Sequence, residues 1–169
     1  MQRLNLIMSL RWLGTVVLVS FLAIGITYLS LPTLDLHRYQ NVSTMVQARD
    51  GKLLNVFLSE DHSYRLDTRI ENVDPRYIDA LLVLEDKWFW FHIGVNPLSL
   101  IRAAGQWALN GSIISGGSTI TMQLARLLEP KPRTLQNKWR EIVRSIEIEI
   151  RFTKKEILQM YMTMLPMGG

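Results

Sequence analysis

Hydrophobic and polar positions follow different rhythms along this chain, and each change of rhythm marks an element. Between Trp12 and Leu34 no position is charged, a run of 23 residues that is long enough to cross a bilayer core as a somewhat tilted helix. Arg3, Arg11 and the amino terminus precede it, which by the positive-inside rule keeps the N-terminus cytoplasmic and puts the rest outside. A cleavable signal peptide would need a shorter apolar core and small residues at its cleavage site. Here Leu29 and Leu31 flank Ser30, so the run is read as an uncleaved anchor.

Past the anchor, "TMVQARDGKLLNVFLS" (44–59) reads as two short strands joined at Asp50-Gly51, a strong hairpin signal. Glu60 to Asp74 is polar and irregular. A helical period then takes over. Asp74 caps and Pro75 opens a helix predicted to run to about Phe91, which puts Ile78, Leu82, Glu85, Phe89 and His92 on one stripe. Pro97 opens the next, with Leu98, Ile101, Ala104, Ala108 and Leu109 as its apolar positions and "NGS" (110–112) as its stop. A glycine-containing loop leads into a helix that ends before Pro130. From Thr134 to Phe152 the period is clearest: Leu135, Trp139, Ile142, Val143, Ile146 and Ile150 form the stripe expected to be buried. Lys138, Glu141, Ser145 and Glu149 lie on another face. Thr153 caps a last helix that ends before Pro166.

These elements predict a mainly α-helical fold with a small β-hairpin. The expected organisation is a cytoplasmic N-terminus at 1–11, a transmembrane anchor at 12–34, a linker carrying the hairpin at 35–74 and a helical domain at 75–169.

Composition narrows the function classes. Hydrophobic residues make up 48% of the chain and charged ones 20%, which suits a folded chain and excludes a disordered one. Cysteine is absent, so disulfides, thiol nucleophiles and thiolate metal sites are ruled out. A net charge of +4 and a pI near 9.6 suit work beside anionic head groups. No nucleic-acid motif accompanies the positive charge, so nucleic acid is not expected as a partner.

Three groups of residues could carry chemistry. Glu85 opens an aromatic run, so it reads either as a helix acid paired with a cation or as a general acid or base tuned by an apolar wall. His92 alone reads first as a structural histidine. "SGGST" (115–119) could cradle an anion on backbone N–H groups or serve as an ordinary loop and cap. The stripe Lys138, Glu141, Ser145, Glu149 is by default a solvated face. Placed inside, it would make Lys138 a phosphate ligand.

In order, these residues carry a resemblance. "EDKWFWFHIG" (85–94) resembles the E-D-x-x-F-x-x-H-x-G motif of peptidoglycan glycosyltransferases, glycosyltransferase family 51. "GGSTITMQLAR" (116–126) resembles the family's second motif. "NKWREIVRSIEIE" (137–149) is similar to the third, with Asn137 in place of a usual Arg. "KKEILQMYMTMLPMGG" (154–169) is similar to the fourth.

The resemblance implies a lysozyme-like domain on a membrane anchor, at the extracytoplasmic side of the inner membrane. Its reaction would join lipid II to a growing glycan chain with undecaprenyl pyrophosphate leaving, in company with other cell-wall synthesis proteins. Glu85 would be the base that deprotonates the acceptor 4-hydroxyl. Asp86 and His92 would help bind substrate, and Ser118, Thr119, Gln123, Arg126 and Lys138 would line the pyrophosphate path. Mg²⁺ or Mn²⁺ would assist the leaving group. Gln159 takes the position assigned to a second family glutamate and Thr163 that of an Asn. The chain stops at Gly169, before a fifth motif, so the domain is expected to be partial at its C-terminus, with apolar helix faces left unpaired. A second reading is a lipid II-binding or cell-wall-partner-binding chain without turnover, suggested by Gln159 and that C-terminus.

Overall fold

A computed structural model describes residues 2–110 and 117–165. It divides into two compact units, Met1–Thr33 and Leu34–Gly169. The first is one helix, α1 (Gln2–Ser30). Val16, Leu18, Val19, Phe21, Leu22, Ile26 and Leu29 are all exposed on it. Its hydroxyls turn inward. Thr15, Ser20, Thr27 and Ser30 each donate to the carbonyl four residues earlier, at 2.8–3.0 Å. The helix ends at Ser30, short of the expected Leu34, because Pro32 disfavours helical geometry in the residue before it. Among the described residues no helix is long and apolar enough to cross a membrane.

The second unit begins with a short α2 (His37–Gln40) and the antiparallel pair β1 (Met45–Gln47) and β2 (Leu53–Val56), with an irregularity between Val46 and Gln47. Gly51 supplies the positive φ, +81°, that the hairpin turn requires. The irregular stretch after β2 is tied down by Arg65, which is only 4% exposed. Its guanidinium donates to the carbonyls of Arg38 and Asn41 and to the Asp61 carboxylate, at 2.8, 3.2 and 2.6 Å.

Burial pushes the Asp61 carboxyl up, but hydrogen bonds from Arg65, Ser59 and Arg38 outweigh it and hold the group well below the ordinary carboxylate range. A depressed carboxyl adds stability that is fully present above its unfolded value near ~4 and is lost as pH falls through the folded value. Asp61→Asn is therefore expected to lower the unfolding free energy in urea at pH 7 by about 2 kcal/mol, with the gap narrowing only below about pH 4. A variant as stable as the parent at pH 7 would remove the clamp.

Among the described residues five helices form the body: α3 (Pro75–Glu85), α4 (Pro97–Asn110), α5 (Ile120–Leu128), α6 (Leu135–Arg151) and α7 (Lys154–Met164). The starts of α3 and α7 follow the caps read from the sequence, Asp74 and Thr153. Asp74, Thr119, Thr134 and Thr153 each accept a backbone N–H of the first turn, and Glu156 completes a capping box with Thr153. α5 is the central element, packed against α6 and α7. Ile120, Leu124 and Leu128 bury one side of it, Thr121, Met122 and Ala125 the other. Ile148, Ile157, Leu158, Tyr161 and Phe89 belong to the same core, with Leu82, Met160, Met162 and Met164. Each such aliphatic side chain contributes roughly 1.5–3 kcal/mol.

Three expectations are corrected. α3 stops at Glu85, and Phe89–Phe91 forms a separate 3-10 turn. The single stripe through Ile78, Leu82, Glu85, Phe89 and His92 is therefore broken. Asp86 leaves the helix with φ −159°, ψ 78° because its carboxylate is drawn to partners elsewhere. Second, Leu98, Ile101 and Leu109 of α4 are 70–86% exposed, so this face covers no core in the described chain. Third, the buried side of α6 is partly polar. Leu135 and Ile150 are exposed, while Arg144, Ser145 and Glu147 are buried. The ions go inside because they go as a network: Arg144 pairs with Glu129 (2.7 Å) and Glu147, which also takes Arg151 (2.7 Å). A buried charge without such partners would be strongly destabilising. The predicted stop at Gly111–Ser112, Gly116 of the glycine loop and Pro166 lie outside the described residues, as do the side chains of Ala104 and Ala108.

Candidate active site

Glu85 is the last residue of α3, and its side chain is exposed rather than walled by the aromatics that follow. The burial expected for it belongs to Asp86 and Phe89 instead. Asp86 is 7% exposed. His92 Nε2 lies 2.9 and 3.1 Å from its two oxygens, and the backbone N–H of Ile120 donates to Oδ2 at 3.0 Å. A carboxylate at the first turn of α5 also meets the positive end of that helix. Asp86 and His92 thus face each other inside the fold and join the turn after α3 to the start of α5. His92 Nδ1 is buried with no hydrogen-bond partner among the described residues.

The rest of that turn is bolted to α6 and α7. Lys154 Nζ donates to the His92 carbonyl (2.6 Å) and to Glu149 (2.7 Å), and stands 4.5 Å above the Phe89 ring. Thr121 donates to the same Glu149 oxygen. Gly94 has φ +85°, and Thr119 donates to its carbonyl at 2.5 Å. A Cβ at Gly94 would sit 2.6 Å from the Ser145 carbonyl oxygen. Backbone meets backbone here.

Two clefts converge on Glu85, and Leu84, Glu85 and Ser118 line both. One, of about 530 Å³, runs between the end of α3 and the start of α4, past Lys87, Trp88, Asn96 and Arg102. The other, of about 680 Å³, runs between α4, α5 and α6, past Gln123, Arg126, Arg133, Lys138 and Glu141. Lys138 Nζ donates to Ser118 Oγ (2.7 Å) and to Glu141 Oε2 (2.8 Å). Three cations against Glu85 and Glu141 suit a polyanionic group held in fixed geometry. Gln123 Nε2 donates to Glu85 Oε2 at 2.9 Å, and Tyr161 Oη donates to Gln123 Oε1 at 3.1 Å.

Glu85, Ser118, Gln123, Arg126 and Lys138 are thus brought to one cleft. Thr119 borders the other, but it is 2% exposed and its hydroxyl is engaged as helix cap and Gly94 partner. Gln159 lines neither cleft. The second carboxylate in the site is Glu141, which local pattern placed on a solvated face. Its i, i+3 spacing from Lys138 was the available signal. Tyr161 lies within the fourth motif, which was its available signal. Among the described residues no three His, Asp or Glu side chains converge, so these side chains do not build a cage for Mg²⁺ or Mn²⁺.

Residues 50–169 match the family model described as Transglycosylase. The chain is 47% identical over 136 residues to penicillin-binding protein 1C of Escherichia coli, covering 80% of this chain and 18% of that protein. It is 38% identical over 106 residues to penicillin-binding protein 1A of Aquifex aeolicus, 62% of this chain and 15% of that protein. To penicillin-binding protein 1A of Pseudomonas aeruginosa it is 36% identical over 143 residues, 83% of this chain and 17% of that protein. The chain spans less than a fifth of the length of these curated relatives.

Proposed function

The chain belongs to the transglycosylase family, and from that premise we propose that it is a peptidoglycan glycosyltransferase of cell-wall synthesis, polymerising lipid II. The observation that carries the reading is an exposed carboxylate, Glu85, on the wall shared by two clefts, one of them cationic. A transfer between two bulky sugars needs a place for each and a base where they meet.

The donor's diphosphate would lie in the cleft of Arg126, Arg133 and Lys138, and the acceptor sugar in the cleft of Trp88 and Asn96. The acceptor hydroxyl oxygen bonds to the donor's anomeric carbon while its proton passes to Glu85. The bond from that carbon to the diphosphate oxygen breaks, and the electron pair leaves on undecaprenyl diphosphate. A cation already fixed in place, Lys138, stabilises that charge without reorganising. Lys138 is held by Ser118 and Glu141 for this purpose. Asp86 and His92 set the geometry of the turn from inside. No step is assigned to the Mg²⁺ or Mn²⁺ that the resemblance implies, since the described side chains build no cage for it. Gln159 does not weaken the reading, since it lines neither cleft.

The test is incubation of the purified chain with lipid II. Glycan polymer with released undecaprenyl diphosphate is the expected product. Binding of lipid II without polymer would overturn the transfer reading in favour of a binding role.

The same reading places the chain at the membrane through its N-terminal helix. Its support is the charge-free run 12–34, the exposed apolar side chains of α1 and the hydroxyls that satisfy themselves on its own backbone, as a lipid surrounding requires. The full chain is expected to stay with membranes through an alkaline wash, and a Leu18→Arg, Leu22→Arg double variant to be released. Release of the parent chain would remove the anchor.

A further inference from the structure

We infer that Tyr161, on α7, is a positioning residue for the Glu85 carboxylate, acting through the side-chain amide of Gln123. The inference rests on the reading of Glu85 as the base and adds a residue to it. The geometry is a chain of two hydrogen bonds: Tyr161 Oη to Gln123 Oε1 at 3.1 Å, and Gln123 Nε2 to Glu85 Oε2 at 2.9 Å. It crosses three helices, since Tyr161 lies on α7, Gln123 on α5 and Glu85 at the end of α3.

Only one arrangement of protons fits. An ionised carboxylate accepts and cannot donate, so the amide must present its NH₂ to Glu85. Its carbonyl then faces Tyr161, which must donate. A glutamine amide turned the other way would set a carbonyl oxygen against the carboxylate and its NH₂ against the phenol. The carboxylate therefore selects the amide's NH₂ end, and the phenol proton, donated to the far carbonyl, holds the amide in that orientation.

Tyr161 is suited to the task in three ways. It is 1% exposed, so the core holds its ring. It donates to one acceptor among the described residues. Burial, with the Glu85 charge adding to it, pushes its hydroxyl up to about 12, so the donor keeps its proton across the working range of any wall enzyme. Glu85 itself is exposed at a helix end, where nothing else among the described residues holds its carboxylate. An exposed glutamate without such a brace samples several rotamers, and a base must stay within reach of one hydroxyl.

The experiment is a double-mutant cycle with Tyr161→Phe and Gln123→Ala in the lipid II assay. Tyr161→Phe keeps the buried ring and removes only the hydroxyl. It is expected to lower kcat about five- to tenfold with KM little changed, the size of one hydrogen bond lost. In the Gln123→Ala background it should cause no further loss, because the path is already cut. Losses that multiply would overturn the inference, since they would mean Tyr161 acts by another route.

A second readout needs no turnover. In the ¹⁵N-labelled chain, the Gln123 side-chain NH₂ signal should shift on Glu85→Gln, and this response should vanish when Tyr161→Phe is present. An equal response in both backgrounds would overturn the inference. A parent chain that makes no polymer would sink the catalytic reading alone, and the amide signal would still decide whether Tyr161 sets Gln123.

Discussion

Glu85→Gln is expected to lower lipid II polymerisation by about 10²- to 10⁴-fold, the range associated with loss of a general base. The substitution preserves size and removes the site that takes the proton. Because Glu85 is exposed at the end of α3 and accepts one hydrogen bond from Gln123, the change should leave thermal unfolding within about 0.5 kcal/mol of the parent. Lipid II binding should also survive, since the diphosphate contacts proposed here come from Arg126, Arg133 and Lys138 on the other side of the cleft. The measurement is a polymerisation rate paired with a binding isotherm. A variant with full activity would deny Glu85 the role of base. One that loses binding together with rate would make Glu85 a substrate ligand.

Gly94→Ala is expected to have the largest effect on stability, about 3 kcal/mol or more. Two separate terms add. A φ of +85° disfavours any residue with a Cβ, by roughly 1–2 kcal/mol. The added carbon would also lie 2.6 Å from the Ser145 carbonyl oxygen and 2.8 Å from its carbon. Both are backbone atoms of α6, so no rotamer change relieves the clash, and the turn or the helix must move.

Gly51 isolates the first term. It has a similar φ, +81°, with nothing within 4 Å of an added Cβ, so Gly51→Ala should cost only the conformational part. Comparing the two variants by urea unfolding tests the argument. If Gly94→Ala costs no more than Gly51→Ala, the turn and α6 are not in tight contact. If it costs more, movement of the turn should also disturb Glu85, because Asp86, His92 and Gly94 lie in one segment that the Ile120 N–H, Lys154 and Thr119 hold in place.

Elements whose signals are local were legible in the sequence. Asp50-Gly51 marked the hairpin. Asp74 and Thr153 marked helix starts, because a cap is a bond between a side chain and a backbone N–H two or three residues away. The four motifs pointed to the family, and the aromatic run did contain the candidate base. The environment of that base was misread because periodicity assumes that a helix continues. Whether α3 continues past Glu85 is decided by Asp86, whose carboxylate reaches His92 and the Ile120 N–H, 34 positions along the chain.

α6 shows the same division. Its apolar positions Leu135 and Ile150 are exposed and its charged Arg144 and Glu147 are buried, which hydrophobicity alone cannot anticipate. The ions go inside because Glu129 and Arg151 wait to pair with them, and pairing removes the penalty that would otherwise keep a charge in water. Tyr161 joined the site for the same reason: it acquires its role from Gln123, a partner on another helix. By itself the sequence determined where most elements begin, which family the chain resembles and which residue is the candidate base, since those depend on neighbours along the chain. Only the tertiary structure decided where α3 ends, which face of α6 is inside and how the Glu85 carboxylate is held. Those outcomes depend on bonds between residues brought together by packing, and no short-range pattern encodes them.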